Sequence, residues 1–91
     1  MKDVFKALAD PTRRHILTLL KDGDLTAGEI SKQFDMSKSS ISQHLNILKQ
    51  AELVYDNKVG QYVYYSLNTT VFQELVSWTI DFIDKGEKNN E

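Results

Sequence analysis

Ser37-Lys38-Ser39-Ser40-Ile41-Ser42-Gln43-His44-Leu45-Asn46-Ile47-Leu48-Lys49-Gln50 is the stretch on which the fold turns. Ile41, Leu45 and Leu48 stand at i, i+4 and i+7, one stripe of a helix, and Ser37 is placed to cap it. At about 100° per residue from Ile41, Leu45 and Leu48 lie within about 40° of it, while Ser39, Gln43, Asn46 and Gln50 lie at about 140–200°. The outward face is therefore built of hydroxyls and amides. From Ser37 to Gln50 there is no acidic residue, and Lys38 and Lys49 are both present. A merely solvated helix in an acidic chain ordinarily carries Asp or Glu; close approach to phosphates and base edges requires their absence.

Immediately upstream, Thr26-Ala27-Gly28-Glu29 has the spacing of a capping box and opens a helix of about two turns that ends near Phe34. Asp35-Met36 leaves only a tight turn before Ser37. Two helices so joined, the second with a polar outer face, form a helix-turn-helix in which the first braces and the second occupies the major groove. Farther upstream, Asp10 caps and Pro11 begins a helix carrying Ile16, Leu17, Leu19 and Leu20, with Gly23 as its stop; a short amphipathic helix with Val4, Phe5 and Leu8 precedes it. Past Gln50 the period becomes strand-like in Leu53-Val54-Tyr55 and Tyr62-Val63-Tyr64-Tyr65-Ser66. Residues 56–61 between them form a turn-rich loop, so the pair reads as a β-hairpin with a projecting tip, a wing. Asn68 caps a last helix over residues 69–85, followed by Gly86 as terminator and a polar tail over 87–91. The expected fold is mainly α with a β-hairpin wing (α+β), in the order ααααββα. It is a single winged helix-turn-helix domain over residues 1–91.

Composition agrees with one small domain: 91 residues, 41% hydrophobic, 26% charged and one proline. Without cysteine the chain has no disulfides, thiolate metal sites or thiol nucleophiles, and packing must stabilise the fold. Apolar runs of only a few residues make no membrane span, and a charge at Lys6 interrupts any signal peptide, so a soluble cytoplasmic protein is expected. The net charge of −2 and pI near 5.6 argue mildly against nucleic acid as a partner. That acidity is unevenly placed. Residues 68–91 hold five acidic and two basic residues, whereas residues 1–67 hold eight acidic and nine basic ones.

In the last helix, Val71, Leu75, Trp78 and Phe82 form one apolar stripe, and Phe72, Val76, Ile80 and Ile83 a second. Together they span some 200°, wider than the roughly 100° a surface helix usually buries in its own domain. One stripe is thus expected to face a partner, with Trp78 and Phe82 as anchors beside Val4, Phe5 and Leu8. A membrane-surface helix needs a basic polar face, and here Glu74, Asp81 and Asp84 make it acidic.

Asp10-Pro11-Thr12-Arg13, Thr26-Ala27-Gly28-Glu29-Ile30, the run from Ser37 to Leu48, and Gly60-Gln61-Tyr62-Val63-Tyr64-Tyr65-Ser66-Leu67 resemble the ArsR-type winged-helix transcriptional repressors. Nearly the whole chain takes part. Within that family it is most similar to the metal-independent SdpR-type autorepressors, through the run of residues 45–52 and Tyr64-Tyr65-Ser66-Leu67-Asn68-Thr69-Thr70. The resemblance implies a homodimer on an imperfect inverted repeat in double-stranded promoter DNA; the apolar arc of the last helix places its interface on the first and last helices, at Val4, Phe5, Leu8, Val71, Phe72, Leu75, Trp78 and Phe82. The resemblance places Lys38, Ser39, Ser42 and Gln43 in the groove and Ser37 and Ser40 near phosphates. Ser39 and Gln43 also face outward by helix geometry, Ser42 sits on the flank, and the Gln43 amide suits adenine N6 and N7. His44 reads better as a flank residue bonded locally or to a phosphate than as a base reader. In the wing the family often has arginines, whereas this chain has Asp56, Asn57, Lys58 and Gln61, which leaves Lys58 as a phosphate contact and Gln61 at the tip. Arg13 and Arg14 are equally suited to phosphates and to intramolecular pairing.

Other chemistries lack residues. Many ArsR relatives bind metal through cysteines of the bracing helix or Asp and His of the last helix; here neither set exists, and no metal or other cofactor is expected. His15 and His44 lie on different helices, and His15 is expected to be solvated. Ser42 and His44, at i and i+2, diverge by about 200° and cannot act as nucleophile and base, so no catalytic residue is assigned. The resemblance implies regulation without metal, by a protein partner such as a membrane-bound one that sequesters the repressor. The alternative is a protein-interaction adaptor that has kept the winged fold and lost DNA binding, which the acidic total and arginine-poor wing would permit.

Overall fold

The computed structural model describes residues 3–89 and contains five helices and a small sheet. Helix α1 (Val4–Leu8) leads into α2 (Pro11–Leu20), whose N-cap Asp10 accepts the Arg13 backbone N–H at 3.0 Å. Strand β1 (Leu25–Thr26) precedes α3 (Ala27–Ser31), and both halves of the Thr26/Glu29 capping box are formed. Helix α4 (Lys38–Gln50) follows, then strands β2 (Val54–Val59) and β3 (Tyr62–Leu67), and α5 (Thr69–Asn89). Ile41, Leu45 and Leu48 of α4 are essentially inaccessible and share one core with Val4, Ile16, Leu20, Ile30, Leu53 and Val54.

Several elements differ from the sequence expectation. The order gains a strand: β1 pairs antiparallel with β3, which becomes the central strand of a three-stranded sheet ordered β1-β3-β2. The bracing helix ends at Ser31, so the connection to α4 covers residues 32–37 rather than Asp35-Met36 alone. Residues 56–59 belong to β2 rather than to a loop, and only Gly60 and Gln61 turn the chain, with Val59 opposite Tyr62. Gly60 at φ +62° takes the first position of that turn, which side-chain-bearing residues rarely adopt. Polar residues are tolerated along β2 because it is an exposed edge strand.

Asn68 does not cap α5. Its Nδ2 donates to the Glu52 carbonyl at 2.8 Å, and its buried Oδ1 has no partner. Nor does Gly86 end α5, which continues to Asn89; glycine inside a helix costs only about 1 kcal/mol relative to Ala, and no proline follows. Three residues of the expected tail are thus helical, while residues 1, 2, 90 and 91 of the expected domain lie outside the described residues. Helix α4 closes with a Schellman arrangement: Leu53 N–H bonds Leu48 O at 3.0 Å and Glu52 N–H bonds Lys49 O at 2.9 Å, with Glu52 left-handed at φ +62°. This turn carries the chain from α4 directly into the wing.

The radius of gyration is 15.6 Å and the longest dimension 57 Å. A compact chain of this length has a radius of gyration near 12 Å. The excess comes from α5, about 31 Å long, which leaves the domain after its first two turns.

Candidate nucleic-acid interface

Helix α4 is held by its apolar stripe and by its cap. The Ser37 hydroxyl accepts the Ser40 backbone N–H at 3.1 Å and bonds the Ser40 and Ser39 hydroxyls at 2.9 and 3.2 Å. With the stripe buried, Lys38, Ser39, Ser42, Gln43 and Asn46 are exposed, and Ser40 is half-buried. The uncapped amides of this end and the absence of carboxylates make it favourable to anions. Lys38 forms no ion pair among the described residues.

Lys49 is different. Its Nζ bonds Asp56 Oδ2 at 2.8 Å, tying the end of α4 to the base of the wing. That hydrogen bond raises the Lys49 pKa and lowers that of Asp56. Half of the positive charge read along α4 is thereby neutralised within the chain. Lys58 and Gln61 remain exposed near the wing tip, where Lys58 pairs in register with Val63.

His44 turns inward rather than along the reading face. Its half-buried ring places Nδ1 3.2 Å from Arg13 Nη1 and 3.8 Å from Asp10 Oδ2. Arg13 also donates through Nε to Ala7 O at 2.8 Å and through Nη2 to Lys6 O at 3.0 Å, and Arg14 donates to Leu8 O at 2.8 Å. Both arginines thus bond carbonyls at the end of α1, the intramolecular pairing that was one of their two expected roles. The Arg13 backbone N–H, followed by the Arg13 and His44 charges, lowers the Asp10 pKa. This cluster escaped the sequence reading, since Arg13 and His44 lie 31 residues apart. His15 is exposed, its ring edge-on to Phe34 at 4.8 Å.

The expected dimer face also changes shape. Val4 and Val71 are buried in the chain's own core and offer nothing to a partner. Phe72, Leu75 and Leu8 are half-buried against that core, whereas Phe5, Val76, Trp78, Ile80, Phe82 and Ile83 are exposed. The division therefore runs along α5, root against tip, rather than around it: both stripes start in the core and emerge together. Phe5, Trp78 and Phe82 form a continuous aromatic row, with ring centroids 5.3 and 4.8 Å apart.

Residues 10–56 match the family described as "Bacterial regulatory protein, arsR family". The whole chain is similar to the "Transcriptional repressor SdpR" of Bacillus subtilis (strain 168), with 60% identity over 98% of this chain and 99% of the relative. The chain belongs to the ArsR family. The "Arsenical resistance operon repressor" of Escherichia coli (strain K12) is 35% identical over 90% of this chain and 68% of its own. The solved "ArsR-like Transcriptional Regulator from Rhodococcus sp. RHA1" superimposes with a TM-score of 0.89 at 29% identity, over 96% of this chain and 80% of that one. ArsR proteins are DNA-binding transcriptional regulators rather than enzymes, and this member has their winged-helix fold. Among its described residues there is no cluster of three or more His, Asp or Glu side chains that could hold a metal ion, and no helix long and apolar enough to cross a membrane.

Proposed function

We propose that the protein is a cytoplasmic homodimeric repressor that binds an inverted-repeat operator, each protomer laying α4 in a major groove. The observation that carries this reading is the exposed, carboxylate-free face of α4, backed by a stripe that is fully buried. Gln43 reads adenine through its amide, Ser39, Ser42 and Lys38 approach base edges and backbone, and Ser37 and Ser40 lie toward phosphates. Lys58 contacts phosphate from the wing, with Gln61 beside it. The repressing role is supported by the 60% identity to a transcriptional repressor over nearly the full length of both chains.

Dimerisation uses Phe5, Trp78 and Phe82 as anchors, with Leu8, Phe72 and Leu75 at the half-buried root. An exposed aromatic row that runs from α1 onto α5, a helix that projects from its domain, supports this assignment. Regulation is independent of metal, in keeping with a chain without cysteine, and comes from a protein partner, a membrane-bound sequestering protein in the form the family resemblance suggests. Footprinting on the DNA upstream of the protein's own gene tests the operator. Two protected half-sites about 34–36 Å apart, or a multiple of that, are expected. A lone unsymmetrical half-site, or no protection, contradicts the reading.

A further inference from the structure

We propose that Arg13 is a positioning residue for operator binding, a strap that fixes the angle of α4 against the α1 face without touching DNA. The proposal rests on the DNA-reading role of α4. Arginine offers five N–H donors in a rigid planar fork, and three of them here reach three acceptors on two other helices. Nε and Nη2 hold the carbonyls of Ala7 and Lys6 at the end of α1, and Nη1 holds His44 Nδ1 on α4. The backbone from which the side chain springs is held as well, because the Arg13 N–H donates to the Asp10 cap at 3.0 Å.

The two ends of this strap have different duties. Next to Lys6, Phe5 packs against Trp78 of α5 with ring centroids 5.3 Å apart, so α1 belongs to the aromatic face assigned to the second protomer. Next to His44, Gln43 is exposed on the reading face. Arg13 thus joins the surface that sets where the second protomer sits to the helix that must fall into a groove. In a two-fold dimer a small tilt of α4 displaces both reading helices in opposite senses, and the half-site spacing they fit changes with it. The arrangement also fixes the histidine: with Nδ1 accepting from Arg13, the ring proton resides on Nε2 in the neutral form.

Arg13→Lys separates positioning from a phosphate contact, because it keeps the charge and loses the fork. The full-length dimer is titrated onto its operator, onto operators with the half-sites moved one base pair closer or farther apart, and onto unrelated duplex. The expected result is about tenfold weaker operator binding, a flattened preference among the three spacings, and unchanged binding to unrelated DNA. His44→Phe should behave in the same way, and His44→Asn, whose Oδ1 can take the place of Nδ1, should recover most of that loss. Sedimentation and Trp78 fluorescence should report an intact dimer and an unaltered aromatic face throughout. An Arg13→Lys protein that binds and discriminates spacing like the wild type overturns the strap. So does one that loses affinity equally for all DNA, the signature of general unfolding rather than of a lost helix angle. A wild-type protein that fails to prefer any inverted repeat defeats the DNA reading instead.

Discussion

Helices α4 and α5 carry similar proportions of apolar residues and end with opposite surfaces. In α4, Ile41, Leu45 and Leu48 are at most 1% exposed, and what remains outside is polar and free of carboxylates. In α5, Trp78 is 44% and Phe82 61% exposed, and the polar residues Glu74, Asp81 and Asp84 are acidic. One helix spends its apolar side on its own domain and offers a polar face; the other roots itself by two turns and offers its apolar side. In the function we propose, the chemistry left over suits a different partner for each, a polyanion for α4 and protein for α5.

Changes at the two helices should therefore fail in different ways. Leu45→Ala empties a packed site and should lower unfolding free energy by about 3 kcal/mol, measured by denaturant titration, with DNA binding lost only as the fold is lost. Phe82→Glu should do the reverse. The helical circular dichroism signal stays, and self-association in analytical ultracentrifugation weakens by at least about 2 kcal/mol, or thirtyfold. A dimer persisting at micromolar concentration would remove α5 from the interface. Gln43→Ala should leave both fold and dimer intact and cost about 1–3 kcal/mol of discrimination at one base pair per half-site, read from competition with single-base operator variants.

The smallest effect belongs to the cap of α2, whose carboxylate lies 3.8 Å from His44 of α4. Asp10→Ala should cost about 1 kcal/mol of stability at neutral pH. Because the folded Asp10 carboxyl titrates below its ordinary value, its contribution is complete above that ordinary value and disappears as pH falls through the lowered one. Unfolding curves of wild type and Asp10→Ala should converge in acid; a gap that stays constant down to low pH would mean that the charge of Asp10 adds nothing.

What could be read from sequence follows the range of the interactions involved. The stripe of Ile41, Leu45 and Leu48 and the caps at Asp10, Thr26 and Ser37 depend on residues three to seven apart, and all appear in the structure. Strand β1 is too short to show a period, and its Thr26 already serves as a cap. Residues 56–59 look like loop because an edge strand needs no apolar alternation. Asn68 carries the side chain of a cap, yet a carbonyl brought to it by the end of α4 takes its amide. The same holds at the site. The exposed face of α4 was legible from helix geometry, whereas the inward turn of His44 toward Arg13 depends on how α1, α2 and α4 pack.

The claim that α4 offers its outer face to a polyanion is tested most directly by the salt dependence of binding to an inverted-repeat fragment from upstream of the gene, followed by fluorescence anisotropy. The predicted plot of log affinity against log salt falls with a slope of about −0.9 for each phosphate neutralised, and Lys38→Ala makes it shallower by about two, one for each protomer. An affinity indifferent to salt, or no binding at all, would contradict it and leave the winged fold as a protein-interaction adaptor.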